Sequence, residues 1–454
     1  KTQGGRQILV RPMNGVAKSF LSGPRGEGGR EISVPLEIRI DEENKSARLS
    51  WPGGEQGLTV GQWSPWVRVT FAVNDAASVT GMTRFYLKSL SPNFSLYASA
   101  FNFTPDAPVF PISYPEGYAK RLKDSIGDFH TLGMPHDTWA LNEGAMSDEM
   151  FLEQSRTVLD EEIKMLEHEL PNFKEGLFVF VVETPDRVQH MFWRAVDPAH
   201  PLYTAEFAQK YGGVIEDAYR QMDEILGLVL NHVDDGTFLM VVSDHGFKSF
   251  RRAVHLNSWL RDNGFLIYKE GAGQKTGDEF FKDVDWSRSK AYAVGLGSVY
   301  LNLKGREKEG IVEPGAEADA VKREIARKLK DLKDAKTGVG AVRAVHLGEE
   351  IFSGEAIAEA PDLLVGFEDG YRASWQTALG AAPADEIEDN LKKWSGDHII
   401  DPTLVPGVFF SNRKVDVANP SLYDMSPTVL SLFGIEVPVN QTGRDLFHMQ
   451  EATR

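Results

Sequence analysis

Cysteine is absent from all 454 residues, so disulfides, zinc knuckles, iron–sulfur clusters and a thiol nucleophile are excluded. Any metal must therefore sit on His, Asp and Glu. The same absence fits a reducing or an oxidising compartment, and localisation stays open. Long apolar runs are missing too: no stretch approaches the roughly 20 residues of a membrane span. Positive charge is scarce. Lys and Arg number 49 against 66 Asp and Glu, a formal balance of -17. That balance argues against wrapping a nucleic-acid polymer or lying on an anionic membrane. It does not forbid a small anionic substrate, because a local metal site inverts the local field. The chain opens on Lys1 without an initiator Met or a signal-like segment, which reads as the interior of a longer protein.

What is present has the make-up of a folded chain, long enough for two or three domains. Residues 1–30 are rich in Gly, Arg and Ser and read as a loop-rich lead. Between 31 and 110 short alternating runs, beginning with Val34, Leu36, Ile38 and Ile40, predict an antiparallel β-rich inserted domain. A turn-rich connector follows at 111–147. From 148 the pattern changes: an amphipathic helix to about Glu169, an apolar run at 176–182, a long helix at 204–233, and a second apolar run at 238–242. That alternation predicts an α/β core over 148–454, built on a mostly parallel sheet flanked by helices. Five apolar residues in a row, as at 238–242, suit a strand buried on both faces.

Ligands gather outside the carboxyl ends of such strands, and there the titratable residues stand. Asp244 and His245 directly follow the run at 238–242. Asp186 and His190 follow the run at 176–182, and their four-residue spacing puts both on one face of a helix. A carboxylate beside an imidazole suits a divalent transition metal, although an ordinary strand-to-loop turn would contain the same residues. His398, in Trp394-Ser-Gly-Asp-His, lies in a Gly- and Pro-marked loop. By itself it reads as a surface or capping histidine.

Taken together, residues 181–193 (Val-Val-Glu-Thr-Pro-Asp-Arg-Val-Gln-His-Met-Phe-Trp), 241–247 (Val-Val-Ser-Asp-His-Gly-Phe), 395–410 and 423–430 resemble the alkaline phosphatase superfamily. The likeness is to its type I phosphodiesterase/nucleotide pyrophosphatase-like branch, with the region 31–101 similar to an insertion of the phosphohydrolase/phosphomutase-like relatives. The resemblance spans about 148–446. It implies an alkaline-phosphatase-like fold and two divalent metal ions about 4 Å apart, zinc first and manganese second. By the same resemblance Asp186, His190 and His398 would hold one ion, Asp244 and His245 the other. A small phosphate-containing substrate would be the partner; the oligomeric state is left open.

The family also carries an early Asp and a Thr or Ser nucleophile, for which no segment before Phe178 offers a counterpart. The nucleophile is therefore expected outside this chain. His255 is a candidate proton donor or a helix cap, and Arg251 and Arg252 are candidate phosphate partners. Asn302 and Arg306 stand near a strand end and are weaker candidates. Glu183 and Asp397 could orient the imidazoles. Three activities stay open: a phosphohydrolase, a phosphomutase using the same site, and a non-catalytic binding module.

Overall fold

A computed structural model describes residues 5–74, 76–271 and 280–447. Its contacts divide the chain into two compact units: residues to Val188 with Glu216–His232, and Gln189–Ile215 with Val233 onward.

The first unit begins with the alternating runs. Val16–Arg25, Glu31–Asp41, Ser46–Trp51 and Gly54–Thr59 form an antiparallel meander in chain order. Pairing Ile38 with Leu49 across the ladder puts both side chains on the inner face. Val67–Asn74, Ala77–Thr83 and Asn102–Phe103 form another antiparallel sheet, and Phe85–Ser89 pairs with Ser95–Ala98. Leu36, Ile38, Leu49, Val69, Phe71 and Phe85 share one core, as period-two alternation requires. Gly23 is needed there, because a Cβ would run into the ring of Phe71. The β-rich region is thus antiparallel, as the sequence predicts, but it begins at Val16 inside the expected loop-rich lead, because Val16–Arg25 pairs with Glu31–Asp41.

The helix Asp148–Glu169 starts where Ser147 caps it, its hydroxyl accepting from Met150 N at 3.2 Å. Asp148 and Glu149 then favour the positive end of the helix dipole. Leu159 and Leu166 pack with Ile225 of the helix Val214–Leu230 and with Phe178, Phe180 and Val182. The long helix expected over 204–233 is two helices, Ala205–Tyr211 and Val214–Leu230. The break falls at Gly212-Gly213, where two residues without side chains weaken helix continuation.

The second unit contains the largest core. Ala291–Val294, Ser298–Leu301, Leu363–Phe367 and Val342–Leu347 form an antiparallel sheet, covered by Ala318, Val321, Ile325 and Leu329 of the helix Ala316–Lys330. A second sheet centres on Lys248–Val254, which runs parallel to Gly370–Ala373 and antiparallel to Ile387–Asp389 and Gly396–Asp397. Met240–Val242 pairs antiparallel with Phe409–Ser411.

The expected mostly parallel sheet is therefore corrected. Among the described strands the one parallel pairing is Lys248–Val254 with Gly370–Ala373; the sheets are otherwise antiparallel. The segment 177–182 is extended but joins no described ladder. Its even residues face the helices, while Leu177, Val179 and Val181 are 57%, 72% and 70% exposed. Continuous apolarity predicts burial on two faces, whereas the run 177–182 is covered on one.

Candidate metal centre

The helix Thr184–Phe192 begins directly after the extended segment, with Pro185 in its first turn, where a missing N–H costs nothing. Asp186 in that turn and His190 in the last lie one turn apart on one face. His190 is buried. Its ring is stacked on Trp394 (centroids 3.8 Å apart) and meets the edge of Phe247 at 4.8 Å. Its Nδ1–H donates to Gly396 O at 2.7 Å, which makes Nε2 the unprotonated nitrogen of that tautomer.

That carbonyl belongs to the short strand Gly396–Asp397, paired with Lys248 and Ser249. The same loop presents His398. Asp397 is its anchor: buried, it accepts from His398 N at 2.8 Å, Ile399 N at 2.9 Å and Trp394 Nε1 at 2.7 Å. Arg372 Nε lies 2.7 Å from Asp397 Oδ2, an ion pair by distance with the N–H out of line. Burial opposes the charge on Asp397, yet Arg372 and His190 hold its carboxyl below the usual range. Burial likewise pushes His398 down to about 4, so near neutral pH its imidazole is uncharged, the form that binds metal.

One ligand atom each from Asp186, His190 and His398 lies within 4.8 Å of the others. Two imidazoles and a carboxylate form a donor set that fits a divalent transition ion, with room left in a tetrahedral shell for one more oxygen. By donor chemistry the residues fit the group that the resemblance implies.

Asp244 and His245 lie outside that group of three. The His245 ring is stacked flat on His398, with centroids 3.5 Å apart and planes 9° apart. His245 Nε2 stands 3.4 Å from Asp244 Oδ2, and Asp244 is largely exposed. Among the described residues no third donor joins this pair in a cluster.

The remaining candidates are placed in structural networks. His255 is fully buried at the start of the helix Leu256–Asp262, its Nδ1 2.7 Å from Ser374 Oγ and its Nε2 3.3 Å from Glu388 Oε1. Arg251 makes a two-pronged pair with Asp197 at 2.6 and 3.0 Å. Arg252 does the same with Asp334, at 2.6 and 2.8 Å, and also donates to Asp389. Asn302 donates to the carbonyls of Trp286, Ser289 and Glu309. Arg306 pairs with Asp362 and Glu307. Each of these groups is already engaged by a partner within the chain. Trp394 and Arg372 escaped the sequence reading. A Trp four residues before His398 was the available signal for the first; an Arg in the short run 370–373 offered none.

Glu183 pairs with Arg187 at 3.8 Å rather than with an imidazole. It also bears on Glu162, whose pKa is raised to about 8 by burial first and then by Glu183 and Glu161. A carboxyl raised on folding contributes stability that is complete below its unfolded pKa and lost as pH rises through the folded one. The metal-free chain should therefore lose stability between about pH 5 and about pH 9, and Glu162→Gln should flatten that decline. Denaturant melts of both proteins across this range measure it; parallel pH profiles would contradict the assignment.

Comparison with known proteins adds one match. A family model described as type I phosphodiesterase / nucleotide pyrophosphatase matches residues 41–385. The matched span contains Asp186, His190, Asp244 and His245 and ends before His398. No curated protein and no solved structure matches the chain.

Proposed function

Because this chain belongs to the type I phosphodiesterase / nucleotide pyrophosphatase family of phosphoric ester hydrolases, we propose that it handles a small phosphate-containing substrate at a metal centre on Asp186, His190 and His398. Membership implies the α/β alkaline-phosphatase-like fold, here with the antiparallel β-rich sheets at its amino-terminal end. The observation that carries the reading is the convergence of a carboxylate and two imidazoles within 4.8 Å.

Each residue has a distinct task. Asp186 brings negative charge to offset that of a cation. His190 offers Nε2 because Gly396 O holds its other nitrogen. His398, kept neutral by burial, offers a lone pair without first losing a proton. A divalent ion, when bound, supplies Lewis-acid polarisation of a phosphoryl oxygen. We place a second ion at Asp244 and His245, next to the His398 ring, and expect zinc first and manganese second for both positions. Cleavage of a phosphodiester, nucleotide pyrophosphate or phosphomonoester is the activity; no residue of the chain is assigned as nucleophile.

The test is hydrolysis of a chromogenic phosphodiester before and after chelation. Activity that vanishes with chelator and returns with zinc or manganese supports the proposal, and chelator-insensitive activity opposes it. Isomerisation of a phosphosugar without release of phosphate would identify a phosphomutase instead.

A further inference from the structure

Arg372 is among the largest fully buried side chains of the described residues. It sits on the strand Gly370–Ala373, parallel to Lys248–Val254, whose first residues pair with Gly396–Asp397. The guanidinium lies over the ring of Trp375 at 4.3 Å and of Phe250 at 5.0 Å, and Nη1 donates to Ala373 O at 3.0 Å. Trp375 in turn meets Trp394, the ring on which His190 is stacked. The remaining charge–charge partner is Asp397.

We propose that Arg372 is a positioning residue for the metal centre: it holds the Asp397 carboxylate, which fixes the loop 394–399 that presents His398 and supplies the Gly396 carbonyl to His190. The inference rests on the reading of Asp186, His190 and His398 as metal ligands. Asp397 has two oxygens and four neighbours to satisfy: the amides of His398 and Ile399, the indole of Trp394, and the guanidinium. A buried carboxylate deprived of its cationic partner is strongly unfavourable and turns toward water or another partner. The two amides would then lose their acceptor, and with it the turn that aims the His398 ring. The Trp394 indole would be released at the same time, loosening the ring stacked on His190. An unbranched apolar side chain could fill the slot between Trp375 and Phe250, so packing alone does not require an arginine. Balancing Asp397 requires a cation.

The effect should therefore appear in metal affinity, separately from folding. Zinc affinity is measured by chelator competition on the full chain, at a temperature well below the melting point of each metal-free variant. Arg372→Met is expected to weaken zinc binding by about 10- to 100-fold, the range for removing a partner that orients a ligand. Arg372→Lys should recover most of the loss, because the charge is restored. Asp397→Asn, which keeps the side-chain volume, should weaken binding comparably, and the Arg372→Met/Asp397→Asn double variant should lose little more than the weaker single variant. If Arg372→Met fails to fold, the Arg372→Lys and Asp397→Asn affinities decide. A lowered melting point with unchanged zinc affinity in Arg372→Met, or wild-type affinity in Asp397→Asn, would overturn the proposal and leave the metal site standing. A wild-type chain that takes up no zinc would overturn both.

Discussion

Alanine at His190 is expected to weaken zinc binding by at least about 100-fold, the upper end of what losing a partner of a ligand costs. The reason is the geometry of the donor set. Three side chains supply the ligand atoms, and a site left with one carboxylate and one imidazole no longer surrounds the ion. The His190 ring also fills a buried slot against Trp394 and Phe247, so the same change opens a cavity. His190→Gln separates the two effects: it keeps most of the volume and removes the imidazole lone pair. Calorimetric zinc titration of both variants, with melting points of the metal-free proteins, measures them. The expected result is a large loss of affinity in both and a lower melting point mainly in the alanine variant. Zinc affinity within a few-fold of wild type in His190→Gln would remove His190 from the site.

The second large effect concerns stability. Asp334→Ala is expected to cost about 3–5 kcal/mol, the usual penalty for removing one partner of a buried ion pair. Asp334 and Arg252 are both buried, and the arginine donates to it twice. Asp334 also accepts from Tyr371 OH and Lys336 N, so four donors lose an acceptor together. Burial opposes its charge, yet these partners, Arg252 foremost, hold its carboxyl below the usual carboxylate range. The sign of the pH dependence follows. A depressed carboxyl contributes stability above its unfolded pKa and loses it as pH falls through the folded value. The gap between wild type and Asp334→Ala should therefore be full near neutral pH and close in acid. Zinc affinity should be unchanged, since Arg252 is committed to Asp334 and Asp389 and not to a ligand. Urea melts at several pH values measure the gap; a difference below about 1 kcal/mol, the level of an exposed pair, would contradict it.

Both effects depend on partners of very different visibility in the sequence. The helix over 148–169 was legible because Ser147, Asp148 and Glu149 carry local capping chemistry. The antiparallel region was legible because alternation at Val34, Leu36 and Ile38 is a local pattern. Asp186 and His190 were legible as a pair for the same reason: four residues of one helix suffice. Their convergence with His398 was not, since that histidine is more than 200 residues away and its selection came from the family resemblance. Apolar runs at 177–182 and 238–242 misled in a specific way. Continuous hydrophobicity records which residues avoid water, while strand direction depends on neighbours that the run itself does not encode. Arg251 and Arg252 read as candidate phosphate partners for a similar reason: Asp197, Asp334 and Asp389 lie 54, 82 and 137 residues from the arginines they bind. His255 likewise meets Ser374 across 119 residues.

The central claim is that Asp186, His190 and His398 hold a divalent ion. Anomalous diffraction at the zinc edge, from crystals grown with zinc, tests it most directly. The account predicts a peak bonded to a carboxylate oxygen of Asp186, Nε2 of His190 and a ring nitrogen of His398, at about 2.0–2.2 Å from each. A zinc-bearing crystal with its strong peaks elsewhere, and these three side chains bonded only to protein or water, would contradict it.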